Sequence, residues 1–372
     1  MIMANLSIDI LGMKFNNPIF TAAGPGAKDG ELCVKAVNGG AGGIVTKTIS
    51  EKPADVPRPC MAKTNSGFLN TELWSELPKE QWVAKEYKRA KEAGVPMIVS
   101  MGYTAEQISK VAPLVKPYAD AVELSTHYVG TDIEPIVNAM KAAKAVLDCP
   151  VFMKMSPHTD IQNIAKALET AGADGLVMIN SFGPCMGIDI ETGYPIMGSE
   201  KGYGWLSGSA IRPLAIRNIY DASKVVKIPI IGVGGVSSGR DAAEMLMAGA
   251  SAVQVCTEAI LRGPTVYGKI SKELNEFLDS HGYKDVNEII GLSHKKAEER
   301  NFRTNAIPPK VYLDKCIKCG QCKVSCVYEA IEITDKLHID ESKCFGCGLC
   351  VTKCPKHALT IQYKQIGNQF IK

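Results

Sequence analysis

Short runs of β-branched and other apolar residues alternate along most of the chain with longer stretches whose apolar positions recur every three or four residues. Eight short runs stand out: "NPIFTAAG" (17–24), "GGIVTKTI" (42–49), "PMIVSMGY" (96–103), "DAVELSTH" (120–127), "PVFMKMSP" (150–157), "DGLVMINS" (174–181), "IPIIGVGG" (228–235) and "SAVQVCTE" (251–258). Near-continuous apolar runs of this length predict strands buried on both faces, as in a parallel sheet. Stretches between them, such as "DIQNIAKALETAG" (160–172) and "GRDAAEMLMAG" (239–249), read as amphipathic helices closing on glycine. Eight β/α repeats point to a closed (β/α)8 TIM barrel in preference to an open sheet.

Polar residues collect where the runs end. Lys47 and Thr48, Glu123 to His127, Lys154, Asn180 with Ser181, and Gly232, Gly234 and Gly235 all fall there. In a barrel, chemistry gathers at the C-terminal ends of the strands. A lysine ending an apolar strand is costly to bury without an anionic or electron-rich partner. Two such lysines, Lys47 and Lys154, suggest one shared ligand. "GVGGVSSG" after the seventh strand and "VCTE" in the eighth offer backbone N–H groups, a helix start and the Thr257 hydroxyl, which suits a phosphate. The glycine spacing is not the dinucleotide fingerprint. A phosphorylated flavin would use both features.

Composition narrows the picture. The 372 residues are 46% hydrophobic and 22% charged with a net charge of +3, which implies no nucleic-acid partner. No apolar run is long enough for a membrane span and no leader pattern opens the chain, so a cytoplasmic location is expected. Of 13 cysteines, five are scattered, at 33, 60, 149, 185 and 256, and the rest form two tail runs. "CIKCGQCKVSC" holds Cys316, Cys319, Cys322 and Cys326; "CFGCGLCVTKCP" holds Cys344, Cys347, Cys350 and Cys354. Both have the C-x2-C-x2-C-x3-C spacing of [4Fe–4S] ligation, in which the fourth cysteine of each run serves the other cluster. The expected sets are therefore Cys316, Cys319, Cys322 with Cys354, and Cys344, Cys347, Cys350 with Cys326. Structural zinc is the competing reading, but zinc ribbons pair two knuckles and need no third and fourth cysteine in each run. The tail resembles a bacterial-type two-[4Fe–4S] ferredoxin, a small α+β module. The expected organisation is a barrel over 1–293, a polar, proline-ended tether over 294–310, and the cluster module over 311–372.

With "AAGP" (22–25), "TKT" (46–48), "NSGFLN" (65–70), "MKMSP" (153–157), "INS" (179–181), "SGSAIRP" (207–213), "IIGVGG" (230–235) and "CT" (256–257), residues 5–290 resemble the FMN barrel of class 1 dihydroorotate dehydrogenases. The loop wording is most similar to the pyrimidine-reducing part of dihydropyrimidine dehydrogenase. That resemblance implies that Ala23, Gly24, Lys47, Thr48 and Lys154 line the flavin ring and ribityl chain. It further implies that Gly208, Gly234, Gly235, Cys256 and Thr257 hold the phosphate, and that Asn65, Asn180 and Ser181 face the substrate, with Asn180 also near the flavin. A fused ferredoxin module is likewise found in the dihydropyrimidine enzyme, and a homodimer is plausible by the same resemblance.

After the fourth strand the family reads N-x-S, then cysteine or serine; this chain reads "ELSTHYVG" (123–130). Matched in that way, Glu123 stands for the asparagine and Thr126 for the proton-transfer residue, with His127 the more capable donor near neutral pH. The long glycine-rich segment 181–208 is expected to cover the pocket as a lid, with Cys185 a further candidate donor. The implied function is an FMN oxidoreductase that reduces, or reversibly oxidises, an activated C=C bond of a small molecule, dihydropyrimidine dehydrogenase-like, with Lys154 stabilising negative charge on the flavin. Electrons would come from a soluble ferredoxin or an FAD/NAD(P) subunit. The alternatives are a dihydroorotate dehydrogenase, a tRNA dihydrouridine synthase, which lacks its basic RNA-binding extension here, and an electron-relay subunit.

Overall fold

A computed structural model of the chain describes residues 3–126, 130, 132–300, 302–366 and 369–371. The chain divides into two compact units, Met1–His294 and Lys295–Lys372.

The first unit is built on β1 (Ile19–Thr21), β2 (Ile44–Val45), β3 (Met97–Met101), β4 (Ala121–Ser125), β5 (Val151–Met155), β6 (Gly175–Met178), β7 (Ile230–Val233) and β8 (Ala252–Val255). Every expected run supplies one strand. The ladders are all parallel, in the order β1-β8-β7-β6-β5-β4-β3-β2. Every residue of these strands is buried, because helices cover the outside while side chains fill the inside. The seam between β1 and β2 is closed by a parallel bridge between Phe20 and Gly43. A side chain extends it: the Thr21 hydroxyl accepts from Val45 N–H at 2.6 Å and donates to the Val45 carbonyl at 2.9 Å. The result is the eight-stranded TIM-like barrel that the alternation predicts.

The helices follow the same logic. Ile161–Thr170 buries Ile161, Ile164, Ala165 and Leu168, one stripe at the helical period. Gly239–Ala248 starts at Ser238, whose Oγ accepts from the Asp241 N–H. A hairpin, Ile8–Ile10 with Met13–Phe15, adds Ile8, Ile10 and Phe15 to the core.

Segment 181–208 is not an irregular loop. Phe182–Met186 and Tyr203–Ser207 pair as a hairpin, and the second strand continues into Phe68–Asn70 and Met61–Lys63, forming a four-stranded antiparallel sheet. His294, the first residue of the expected tether, belongs to the barrel: its Nε2 lies 2.8 Å from Ser223 Oγ and its ring stacks on Tyr220.

In the second unit, Lys310–Val311 pairs with Leu359–Thr360, and Ile331–Ile333 pairs with Leu337–Ile339. Two short helices, Gln321–Val324 and Leu349–Lys353, each begin within a cysteine run. Its small core comprises Cys322, Ile331, Leu337, Ile339 and Leu359. Too few apolar side chains are buried here to suggest a stable fold without help from bound clusters. Among the described residues, no helix is long and apolar enough to cross a membrane.

Candidate flavin and iron–sulfur sites

Strand alternation decides which side chains enter the barrel. In β4, Glu123 and Ser125 share the inner face, and Lys154 of β5 stands level with Ser125. Glu123 is fully buried: its Oε1 accepts from Lys154 Nζ at 3.3 Å, and its Oε2 accepts from Gln254 Nε2 at 2.6 Å. Gln254 Oε1 completes the triangle at 3.4 Å from Lys154 Nζ. Glu123, which stands in the place of the family's asparagine, is thus a counter-ion beneath Lys154, and Ser125 is the β4 residue that reaches the cavity.

That cavity, of about 370 Å³, lies at the C-terminal ends of the strands. Its size is that of a small-molecule or cofactor site. Ala23, Gly24, Lys47, Thr48, Lys154, Asn180 and Ser181 line it, as do Asn65, Gly208, Gly234, Gly235, Cys256 and Thr257. All expected cofactor and substrate residues of the barrel are therefore brought to one space. Thr126 is not among its lining residues; its Oγ1 is buried with no hydrogen-bond partner among the described residues. His127 lies outside the described residues. Cys185 does not line the cavity either, and its Sγ sits 3.6 Å from the Phe182 carbonyl.

One end of the cavity is a backbone cradle. Gly208, Gly234 and Gly235 all have positive φ, and a Cβ on Gly235 would lie 2.7 Å from the Gly208 carbonyl oxygen. Ser207 Oγ and Thr257 Oγ1 meet at 2.9 Å beside it. A Cβ on Gly24 would lie 2.5 Å from Cys256 Sγ, so the turn after β1 packs directly on the residue after β8. Burial pushes the Cys256 thiol up, against the pull of Lys154 and Lys47. Gly235→Ala, at φ +81, is expected to cost about 1–3 kcal/mol and to strip bound flavin, read from the thermal midpoint and flavin per chain.

Sequence reasoning missed several lining residues. Glu72 forms a 2.5 Å ion pair with Lys47, and both are largely buried. Tyr103 is raised to about 12 by burial. Asn70 donates from Nδ2 to the Trp205 carbonyl at 3.0 Å, tying the two halves of the antiparallel sheet. Of the expected lid, only its two ends, Ser181 and Ser207 with Gly208, line the cavity; the strands Met61–Lys63 and Phe68–Asn70 with their connection supply more of the wall. Gln254 was readable as the one polar residue inside "AVQV" (252–255); Glu72 carried no periodic signal.

In the second unit the eight cysteines separate into two cavities. Cys316, Cys319, Cys322 and Cys354 line one, together with Ile333, Leu337 and Pro355. Cys326, Cys344, Cys347 and Cys350 line the other, together with Ile331, Ile339 and Phe345. Each set draws three cysteines from one run and the fourth from the other. None of the thirteen cysteines is in a disulfide. Among the described residues, no three His, Cys, Asp or Glu side chains converge on a single-ion position. Thiolates around a four-iron cubane stand farther apart than those around one zinc, so apolar four-cysteine cradles of this kind fit clusters.

Comparison with known proteins agrees with the geometry. Residues 5–278 match the family model described as dihydroorotate dehydrogenase, and residues 310–361 match the 4Fe-4S dicluster domain. Relatives include the catalytic subunits of dihydroorotate dehydrogenase B (NAD(+)) of three archaea. That of Methanothermobacter thermautotrophicus is 37% identical over 302 residues, covering 78% of this chain and 98% of the relative. That of Pyrococcus horikoshii is 37% identical over 308 residues, covering 79% and 100%. That of Methanosarcina mazei is 38% identical over 305 residues, covering 78% and 96%. About a fifth of this chain has no counterpart in them. The cavity with its glycine cradle and paired lysines fits FMN, and the cysteine sets fit two [4Fe–4S] clusters. The chain belongs to the dihydroorotate dehydrogenase family, a flavin oxidoreductase acting on a CH–CH bond with a dicluster ferredoxin domain at its C-terminal end.

Proposed function

We propose that the chain is the catalytic subunit of an enzyme that interconverts a dihydropyrimidine ring and its C=C form, and that its clusters exchange electrons with a separate electron-transfer subunit. The observation that carries this is the barrel cavity in which Lys47 and Lys154 face the same space as the backbone cradle. The relatives' name favours the dihydroorotate couple over the uracil-type reduction that the loop wording suggests. A second reading, a ring without the carboxylate, is favoured by the Lys47–Glu72 pair.

FMN, when bound, supplies hydride chemistry at its ring. The rest is the work of named side chains. Gly208, Gly234, Gly235, Cys256 and Thr257 would hold the phosphate. Ala23, Gly24, Thr48 and Lys154 would hold the ring and ribityl chain, with Lys154 placing positive charge where negative charge develops and Glu123 and Gln254 fixing its ammonium. Lys47 would orient the ring or substrate. Asn65, Asn180 and Ser181 would bind the substrate's polar edge. The segment after β4, through Thr126 or His127, would move the proton at the adjacent carbon. We assign one cluster to Cys316, Cys319, Cys322 and Cys354 and the other to Cys326, Cys344, Cys347 and Cys350, with 295–309 as the tether.

The test is anaerobic mixing of FMN-loaded protein with dihydroorotate or dihydrouracil while flavin absorbance is followed. Bleaching within seconds by either is the expected result. An unchanged spectrum with both, and no reoxidation of the reduced protein by orotate or uracil, would leave the chain an electron relay.

A further inference from the structure

The cavity holds its own carboxylate where a substrate carboxylate would seek a cation. Lys47 Nζ and Glu72 Oε2 are 2.5 Å apart, with the two side chains 5% and 14% exposed, and both residues line the cavity. The Glu72 N–H donates to Asn70 Oδ1 at 3.2 Å, and burial together with the Glu72 carboxylate pushes the Cys60 thiol up. The second buried lysine, Lys154, is equally committed to Glu123. Arg262 at the rim pairs with Glu258. Among the described lining residues, Lys63 alone is a cation without an ion pair, and it is exposed on the strand Met61–Lys63, where water screens it.

A carboxylate entering this space must either pull Glu72 off Lys47, leaving a buried charge uncompensated, or sit beside a second carboxylate in a site of low dielectric. A ring with no charge at that position meets neither cost. Selectivity of this kind is built from repulsion of the wrong ligand as much as from attraction of the right one. We propose that Glu72 is a specificity-determining residue that neutralises Lys47 and turns the cavity toward an uncharged dihydropyrimidine-type ring in preference to a carboxylate-bearing one. This rests on reading the cavity as the dihydropyrimidine site.

The test is equilibrium binding of uracil and orotate to the FMN-loaded protein, by calorimetry and by perturbation of the flavin spectrum. Wild type is expected to bind uracil at least about tenfold tighter than orotate. Glu72→Gln should tighten orotate by about tenfold or more and move uracil by less than about threefold, whereas Glu72→Asp keeps the charge and the wild-type ratio. Orotate binding tighter than uracil in wild type, or a ratio unmoved by Glu72→Gln in protein that retains its flavin, would overturn the proposal while leaving the dihydropyrimidine reading intact. The wild-type ratio needs no variant to fold. Binding of neither ring would remove the dihydropyrimidine reading and this inference with it.

Discussion

Glu123→Leu is expected to lower stability by about 3–5 kcal/mol, because it strands the Lys154 ammonium in a barrel interior with only an amide for company. The loss should appear as a lower urea midpoint at unchanged slope, since the surface exposed on unfolding does not change. The discriminating variant is the double substitution Glu123→Leu with Lys154→Met. Removing both charges takes away the desolvation cost together with the attraction, so the double variant should recover most of the stability lost by the single one. It should not recover flavin binding or turnover, because Lys154 lines the cavity and Glu123 does not. Recovery of both would show that Lys154 serves only the core. Recovery of neither would show that the triad with Gln254 is a packing unit in which charge is secondary.

Cys354→Ser and Cys326→Ser are expected to have crossed effects. Cys354 lies in the second run but lines the cavity of Cys316, Cys319 and Cys322; Cys326 lies in the first run but lines the other. Each substitution should remove or weaken the cluster of the opposite run, taking iron from about eight to about four per chain. Electron paramagnetic resonance of the reduced protein checks this through loss of the spin coupling between neighbouring clusters. Flavin content should stay at the wild-type level, since the barrel has its own core. Electron exchange with a partner subunit should fall by several orders of magnitude. If each variant instead lost the cluster of its own run, the ligand sets proposed above would be wrong.

What could be read from the sequence, and what could not, follows from the range of the interactions. The eight barrel strands were legible because a strand buried on both faces is apolar at every position, and such runs need no partner to be seen. The cysteine sets were legible because their chemistry is tied to spacing. The four-stranded antiparallel sheet was not. Its strands are short and mixed in polarity, and its central pairing joins Phe68–Asn70 to Tyr203–Ser207, a contact no local pattern announces. The same limit applies within the site. Reading "ELSTHYVG" by likeness of wording put Glu123 in the place of the family's asparagine and said nothing of its partners, whereas alternation puts Glu123 and Ser125 on one inner face, the first in the core and the second at the cavity. Glu72 sits in "LNTELW", where nothing repeats, and its meaning comes only from Lys47 across the fold.

The seam between β1 and β2 closes the barrel at a particular address. Backbone bonds from Gly42 N–H to the Ile19 carbonyl and from Thr21 N–H to the Gly43 carbonyl join the two strands, and one threonine hydroxyl then holds both polar groups of Val45. Val45 is two residues before Lys47, so the same short strand that shuts the cylinder also carries the ammonium into the cavity. Closure of the cylinder and the electrostatic setting of the ligand chamber are therefore linked, and a change that loosens the joint at Thr21 would also shift the charge its ligand meets.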